Sequence, residues 1–262
     1  MDYQIKGKLA LVSGSTKGIG FAIASRLAQE GVQVIVNGRT QQSVAAALER
    51  LKIDVPNANA IGFAGDLADP EQIAILVSRH PTVDILVNNL GIFDPKPFES
   101  IPDEDWFRFF DVNVMSGVRL SRAYLPGMKQ RNWGRVVFIS SESGIQIPVE
   151  MIHYGMTKTA QLAISRGLAE SCAGTGVTVN AVLPGPTSSE GVNEFVEKLS
   201  GGQSMSDFEK KFFEEARPSS LLKRFTTPDE VANLVAYVCS SLSSATTGAA
   251  LRVDGGVVRA AF

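Results

Sequence analysis

Tyr154 and Lys158 stand four residues apart, and Ser141 lies thirteen residues before the tyrosine. On a helix the first spacing sets phenol and ammonium on one face, one above the other. A free phenol has a pKa of about 10. An ammonium beside it favours phenolate, so the hydroxyl can exchange a proton nearer neutral pH and act as acid or base for a carbonyl and alcohol pair. Ser141, across a loop, would then donate to the substrate oxygen as charge develops on it. Alone, neither signal is specific. Tyrosine and lysine at helical spacing are common on amphipathic helices, and a Ser-Ser pair closing a strand is usually a turn or a cap.

The elements that must carry these residues give them a context. The apolar run 136–139 reads as a buried strand ending at Ser140-Ser141, and residues 154–169 have the apolar periodicity of a helix. Near the other end, the short apolar run 8–12 passes directly into Ser13-Gly14-Ser15-Thr16-Lys17-Gly18-Ile19-Gly20 and then into a helix-like stretch, 21–28. Strand, glycine loop, helix is the order of a pyrophosphate site. Glycines let the backbone approach an anion, and the free amides and dipole of the helix start attract it. The spacing is G-x-x-x-G-x-G rather than the common dinucleotide G-x-G-x-x-G.

The next strand-like run, 32–36, ends at Asn37-Gly38-Arg39, about where a nucleotide-binding unit places its ribose-reading residue. A carboxylate there would accept from the 2′-hydroxyl of NAD. Neutral Asn37, with Arg39 and Lys17 close in sequence, suits a 2′-phosphate. The expected cofactor is therefore NADP(H), with NAD(H) second.

The alternation continues through helix-like 41–51, strand-like 58–63 before Gly65-Asp66-Leu67, helix-like 70–79, and strand-like 83–87 before Asn88-Asn89-Leu90-Gly91. A long helical stretch, 103–129, contains Asn113. Strand-like 177–183 meets Pro184-Gly185-Pro186-Thr187-Ser188-Ser189. This pattern predicts an α/β fold, a doubly wound Rossmann-type parallel sheet with helices on both faces. Gly14, Asn37, Asp66, Asn88, Ser141 and Thr187 each follow a strand, so they should converge on one rim.

Residues 189–225 break the alternation. They carry Phe195, Phe208, Phe212 and Phe213 on helix-like pieces, which reads either as an amphipathic lid over the site or as ordinary packing or a subunit contact. A helix over 228–239 starts at a threonine cap, and a last strand precedes Asp254-Gly255-Gly256.

With 262 residues and no linker-like segment, the chain reads as one domain, 1–262. Hydrophobic residues at 44% and charged residues at 20% fit a globular protein with a large core. A net charge of -2 without a basic run gives no sign of a nucleic-acid partner. Cys172 and Cys239 lie in apolar helical segments without metal-like spacing and read as buried thiols. No stretch has the pattern of a signal peptide or the length of a membrane span, so the expected location is cytoplasmic.

Taken together, these residues resemble the short-chain dehydrogenase/reductases of the single-domain kind over nearly the whole chain. The family's T-G-x-x-x-G-x-G stands here as Ser13 to Gly20 with serine first, and its N-N-A-G as Asn88-Asn89-Leu90-Gly91. Its tetrad is matched by Asn113, Ser141, Tyr154 and Lys158. The resemblance implies a seven-stranded Rossmann-type sheet and hydride transfer between nicotinamide and a carbonyl carbon. Tyr154 would be the general acid in reduction and Ser141 would steady the substrate oxygen. Lys158 would bind the nicotinamide ribose and assist Tyr154, while Asn113 would hold a water in a proton path to Lys158.

The resemblance also implies cofactor contacts for the glycine loop (Gly14, Ser15, Lys17, Gly18, Ile19 and Gly20), for Asp66 and Leu67 by the adenine, and for Asn88 and Gly91 by the adenosine ribose. Pro184, Gly185, Thr187 and Ser189 would lie by the nicotinamide amide and phosphates. Much of the chain is similar to 3-oxoacyl-carrier-protein reductases, yet Asn132 and Thr175 stand where those reductases carry basic docking residues, with Arg131 adjacent. Phe93, Ile145, Gln146, Met151, His153 and Met156 are the expected pocket. The partners implied are a small carbonyl or alcohol substrate and further copies of the chain, as a homotetramer or homodimer through the 103–129 and 154–169 helices. The rival reading from another class is a catalytically silent dinucleotide-binding regulator.

Overall fold

Seven short apolar runs become strands in the computed structural model, which describes residues 2–190 and 204–261. They are β1 (Leu9–Val12), β2 (Gln33–Gly38), β3 (Ala60–Ala64), β4 (Ile85–Asn88), β5 (Gly134–Ile139), β6 (Val177–Pro184) and β7 (Ala250–Val253). Every pairing is parallel, and the order is β3-β2-β1-β4-β5-β6-β7. A parallel sheet needs crossovers that cover its faces. These are α1 (Gly18–Gln29), α2 (Gln41–Asp54), α3 (Pro70–Arg79), α4 (Asp103–Phe110), α5 (Ser116–Gln130) and α6 (Ile152–Ser171). Two later helices, α7 (Met205–Glu215) and α8 (Pro228–Cys239), follow β6.

Because side chains alternate along a strand, each strand feeds two cores. Ala10 and Val12 of β1 join Leu27 of α1 and Val235 of α8, whereas Leu11 joins Leu76 of α3 and Leu120 of α5 on the other face. Burying each such leucine is worth about 1.5–3 kcal/mol. Helix starts follow local chemistry. Thr227 and Glu230 form a capping box around Pro228 at the head of α8, as its sequence predicts, and Asp69 caps α3 ahead of Pro70.

The long helix expected over 103–129 is interrupted. One turn of π-helix, Asp111–Met115, separates α4 from α5 and contains Asn113. No glycine or proline marks the turn, so periodicity alone could not show it. The strand order reverses between β1 and β4, and the carboxyl ends of all seven strands share one edge. That edge is where an open α/β sheet places a ligand. Cys172 and Cys239 are buried and unpaired, and burial pushes the Cys239 thiol up to about 12. Among the described residues no helix is long and apolar enough to cross a membrane.

Candidate active site

The loops after β1, β4, β5 and β6 enclose a cavity of about 500 Å3 at that edge. Ser141, Tyr154 and Lys158 line it together with Ile19, Gly91, Pro184, Gly185, Thr187 and Ser189. Ser141 caps a short 3-10 turn, Glu142–Gly144, and its hydroxyl also accepts from the Ser143 amide at 3.1 Å. Tyr154 lies in the first turn of α6, and the Lys158 ammonium sits 5.5 Å from the phenol ring centre. The spacing argument for these three residues therefore corresponds to a real face.

The electrostatics of the phenol differ from expectation. Burial raises the Tyr154 pKa above its ordinary value and the neighbouring Glu142 carboxylate raises it further, while the Ser141 hydroxyl and Arg217 offset only part. The phenol is thus held as a proton donor. The Lys158 amine is itself desolvated, and its pKa falls to about 8. Its Nζ donates to the Ile139 carbonyl at 2.9 Å and to Gln161 Oε1 at 3.4 Å.

Asn113 lies behind this face. Its Oδ1 accepts from the Ile92 amide at 2.7 Å, and its Nδ2 donates to the Ile92 carbonyl and to Thr157 Oγ1, each at 3.0 Å. Its own carbonyl accepts from Gln161 Nε2 at 2.6 Å. A buried glutamine side chain thus connects the Asn113 carbonyl with Lys158. Gln161 had no sequence signal beyond its place on the buried face of α6, three residues after Lys158.

The glycine loop has the form expected of an anion cradle. Gly18 adopts φ +58, a conformation open to glycine at little cost, as the chain turns into α1. Its amide donates at 2.6 Å to the Glu190 carboxylate, which Arg50 also holds at 2.8 Å. Burial pushes that carboxyl up, but the Arg50 and Gly18 hydrogen bonds outweigh it and hold it below the usual range. The Gly18 amide thus points outward as a donor that an anionic side chain fills. Ser15 Oγ donates to the Val12 carbonyl at 2.7 Å, and the Asn89 amide clasps the carbonyls of Ser13 and Gly14 at 3.0 Å each.

Two asparagines at this edge turn their side chains inward. Asn37 is buried, and it ties the glycine loop to the end of β3: its Oδ1 accepts from the Gly14 amide, and its Nδ2 donates to the carbonyls of Phe63 and Gly65. Arg39, two residues on, is exposed, and a Cβ at Gly38 would run into the Thr16 methyl. The Asn88 side chain turns to Ser121 at 3.2 Å under α5, and it is Asn89 that lines the cavity. Asp66 and Leu67 follow β3 at the same edge, with Leu67 in the core and Asp66 accepting from the Ala68 amide at 3.0 Å.

Of the expected pocket residues, Phe93 and Met151 line the cavity, joined by Phe208 and Phe212 of α7 and by Phe225. Phe213 is buried behind them, and Phe195 lies outside the described residues. Gln146 bonds Ser219 instead, and His153 is fully buried between Trp106 and Phe109, its ring centre 4.1 Å from that of Phe109. Sequence reasoning missed an acidic and basic group on the cavity floor. Glu142 accepts from Arg217 Nε at 3.1 Å, and Arg217 also reaches Glu150 at 2.9 Å. Desolvation opposes the Arg217 charge, but the two carboxylates raise its pKa overall.

Asn132, Thr175 and Arg131 sit at the opposite edge, where β5 and β6 begin. Asn132 Oδ1 accepts from the Gly176 amide at 2.8 Å, and Arg131 donates to the Val83 carbonyl at 2.9 Å.

A family model described as enoyl-(acyl carrier protein) reductase matches residues 14–258. The chain is 50% identical over 264 residues to the uncharacterized oxidoreductase YvaG of Bacillus subtilis (strain 168), covering 100% of each. The chain belongs to the short-chain dehydrogenase/reductase family. This dehydrogenase/reductase is also 33% identical over 261 residues to the 3-oxoacyl-[acyl-carrier-protein] reductase FabG of Aquifex aeolicus (strain VF5), covering 98% of the chain and 100% of that relative. Among solved structures, it matches L-sorbose reductase from Gluconobacter frateurii, complexed with NADPH and L-sorbose, at TM-score 0.92 and 30% identity, covering 99% and 100% of the two chains. Membership makes it an NAD(P)-dependent oxidoreductase, and the sheet has the seven strands that the resemblance implied and the parallel pairing that the alternation predicted.

Proposed function

We propose that this dehydrogenase/reductase interconverts a ketone and a secondary alcohol with NADP(H), using Ser141, Tyr154, Lys158 and Asn113. The observation that carries the reading is that Ser141, Tyr154 and Lys158 line one cavity, on the same sheet edge as a glycine loop whose Gly18 amide holds a carboxylate.

The bound reduced nicotinamide supplies the hydride. Tyr154 delivers the proton to the carbonyl oxygen, and Ser141 donates a hydrogen bond to that oxygen. Lys158, anchored through Ile139 and Gln161, holds the ribose and supports Tyr154. The phosphates fall to Gly14, Ser15, Lys17, Gly18, Ile19 and Gly20, and the 2′-phosphate to Arg39. The backbones of Asp66 and Leu67 border the adenine, those of Asn88 and Gly91 the adenosine ribose, and Pro184, Gly185, Thr187 and Ser189 the nicotinamide end. The NADPH complex of the similar L-sorbose reductase supports the choice of NADP. The α7 phenylalanines support a lid over the substrate.

Stopped-flow absorbance of bound NADPH against a panel of ketones tests the reading. Oxidation by at least one ketone is expected. Tight binding without oxidation by any carbonyl would favour the silent regulator.

A further inference from the structure

The floor of the cavity contains a carboxylate that the reaction does not require. Glu142 is 4% exposed and lines the same cavity as Ser141 and Tyr154. Its Oε2 accepts from the Ser141 hydroxyl, from the Ser143 amide at 2.7 Å and from the Ser143 hydroxyl at 3.0 Å. Its Oε1 accepts from Arg217 Nε at 3.1 Å. Ser141 has one hydroxyl proton, and in this arrangement Glu142 holds it.

A ketone can recruit Ser141 only if that proton turns toward the carbonyl oxygen. The turn takes one of three donors from Oε2, which keeps the Ser143 amide and hydroxyl but loses a charge-assisted hydrogen bond in a buried site. A substrate that brings its own donor to the same spot restores the count. Ordinary bond lengths place the oxygens of a carbonyl and of a hydroxyl on the adjacent carbon roughly 3 Å apart, about the separation of two hydrogen-bonded oxygens. A hydroxyl next to the reacting carbonyl would therefore reach Glu142 Oε2 as the carbonyl reaches Ser141.

We propose that Glu142, fixed by Arg217, is a specificity-determining residue that accepts this neighbouring hydroxyl, so that the substrates are α-hydroxyketones and the corresponding vicinal diols. The assignment rests on the ketone reductase reading above and deepens it. It sets this site apart from one built for a 3-oxoacyl group, whose reacting carbonyl is flanked by methylenes and offers no donor. Beyond the hydroxyl, the wall of Phe208, Phe212 and Phe225 accepts an apolar remainder.

The test compares 1-hydroxy-2-butanone with 3-pentanone, which has a methyl where the first has its hydroxyl, and with a 3-oxobutyryl thioester, all with NADPH. In the wild-type protein kcat/KM should favour the hydroxyketone over 3-pentanone by about 10- to 100-fold, the range expected when one buried partner is lost. Glu142→Met, which removes the acceptor and leaves Arg217 paired with Glu150, should bring the ratio to within a few-fold of one. Glu142→Gln keeps an acceptor oxygen and should retain part of the preference. It decides the matter if the methionine variant no longer binds NADPH. A wild-type ratio near one, a preference for the thioester, or a ratio unchanged in either variant overturns the assignment while leaving the ketone reductase reading intact. Failure of all three carbonyls to oxidise NADPH would instead remove that reading and the assignment with it.

Discussion

Gln161 Nε2 donates to the Asn113 carbonyl oxygen at 2.6 Å, while Gln161 Oε1 accepts from the Lys158 ammonium at 3.4 Å. One side-chain amide therefore joins two members of the proposed tetrad and helps to orient the lysine. Gln161→Leu keeps the bulk and removes both bonds, leaving Lys158 Nζ on the Ile139 carbonyl. Ketone reduction should fall about 10-fold in kcat/KM, as expected when a catalytic group is misplaced by a fraction of an ångström. An unchanged value would detach Gln161 from the chemistry.

Cofactor choice should depend on Arg39. With Asn37 occupied in tying the loops together and Gly38 packed on Thr16, the end of β2 presents Arg39 and has no carboxylate. Arg39→Asp should weaken NADPH binding by about 10- to 100-fold, the worth of a charge-assisted hydrogen bond, and should weaken NADH binding far less. Fluorescence titration of both nucleotides measures this. Equal losses would contradict the 2′-phosphate assignment.

Glu190 occupies an amide that a phosphate would use. Because the carboxylate must leave Gly18 for an anion to take its place, Glu190→Gln should bind NADPH a few-fold more tightly, and the gain should shrink as salt is added. Isothermal titration calorimetry at two ionic strengths reads both effects. Weaker binding in the variant would show that Glu190 supports the loop instead of competing at it.

Much of this was legible in the chain itself. Buried parallel strands are short apolar runs, and each ended at the polar or glycine residue that reached the rim, so β1 with its loop and β5 with Ser141 could be located. The four-residue step from Tyr154 to Lys158 survives because α6 is regular there. Other features depend on tertiary packing that local pattern does not encode. The π turn at Asn113 has no composition signal, and Asn37 and Asn88 point inward because neighbouring carbonyls and Ser121 need partners. The influence of Glu142 on Tyr154 required knowing that Arg217, 75 residues further on, folds back to hold it.

His153 should make the fold acid-sensitive. Its ring is fully buried, and neither nitrogen has a hydrogen-bond partner. Burial lowers its pKa; Asp105 and Asp94 pull it up, and Lys96 and Arg108 push it further down. The unfolded chain takes up the proton from about pH 6.5 downward while the folded chain resists, so this contribution to stability is present above that pH and is lost below it. Urea melts of the wild-type protein between pH 7 and pH 5 should lose up to about 1 kcal/mol per pH unit more than those of His153→Phe. Parallel losses would assign the acid sensitivity to other groups.

The proposed reduction depends most on the Tyr154 phenol as the proton donor to the substrate oxygen. Single-turnover oxidation of bound NADPH by a reducible ketone should slow by about 100- to 10,000-fold in Tyr154→Phe, with NADPH affinity within a few-fold of the wild-type protein. A variant that binds NADPH and still turns over at near the wild-type rate would contradict it.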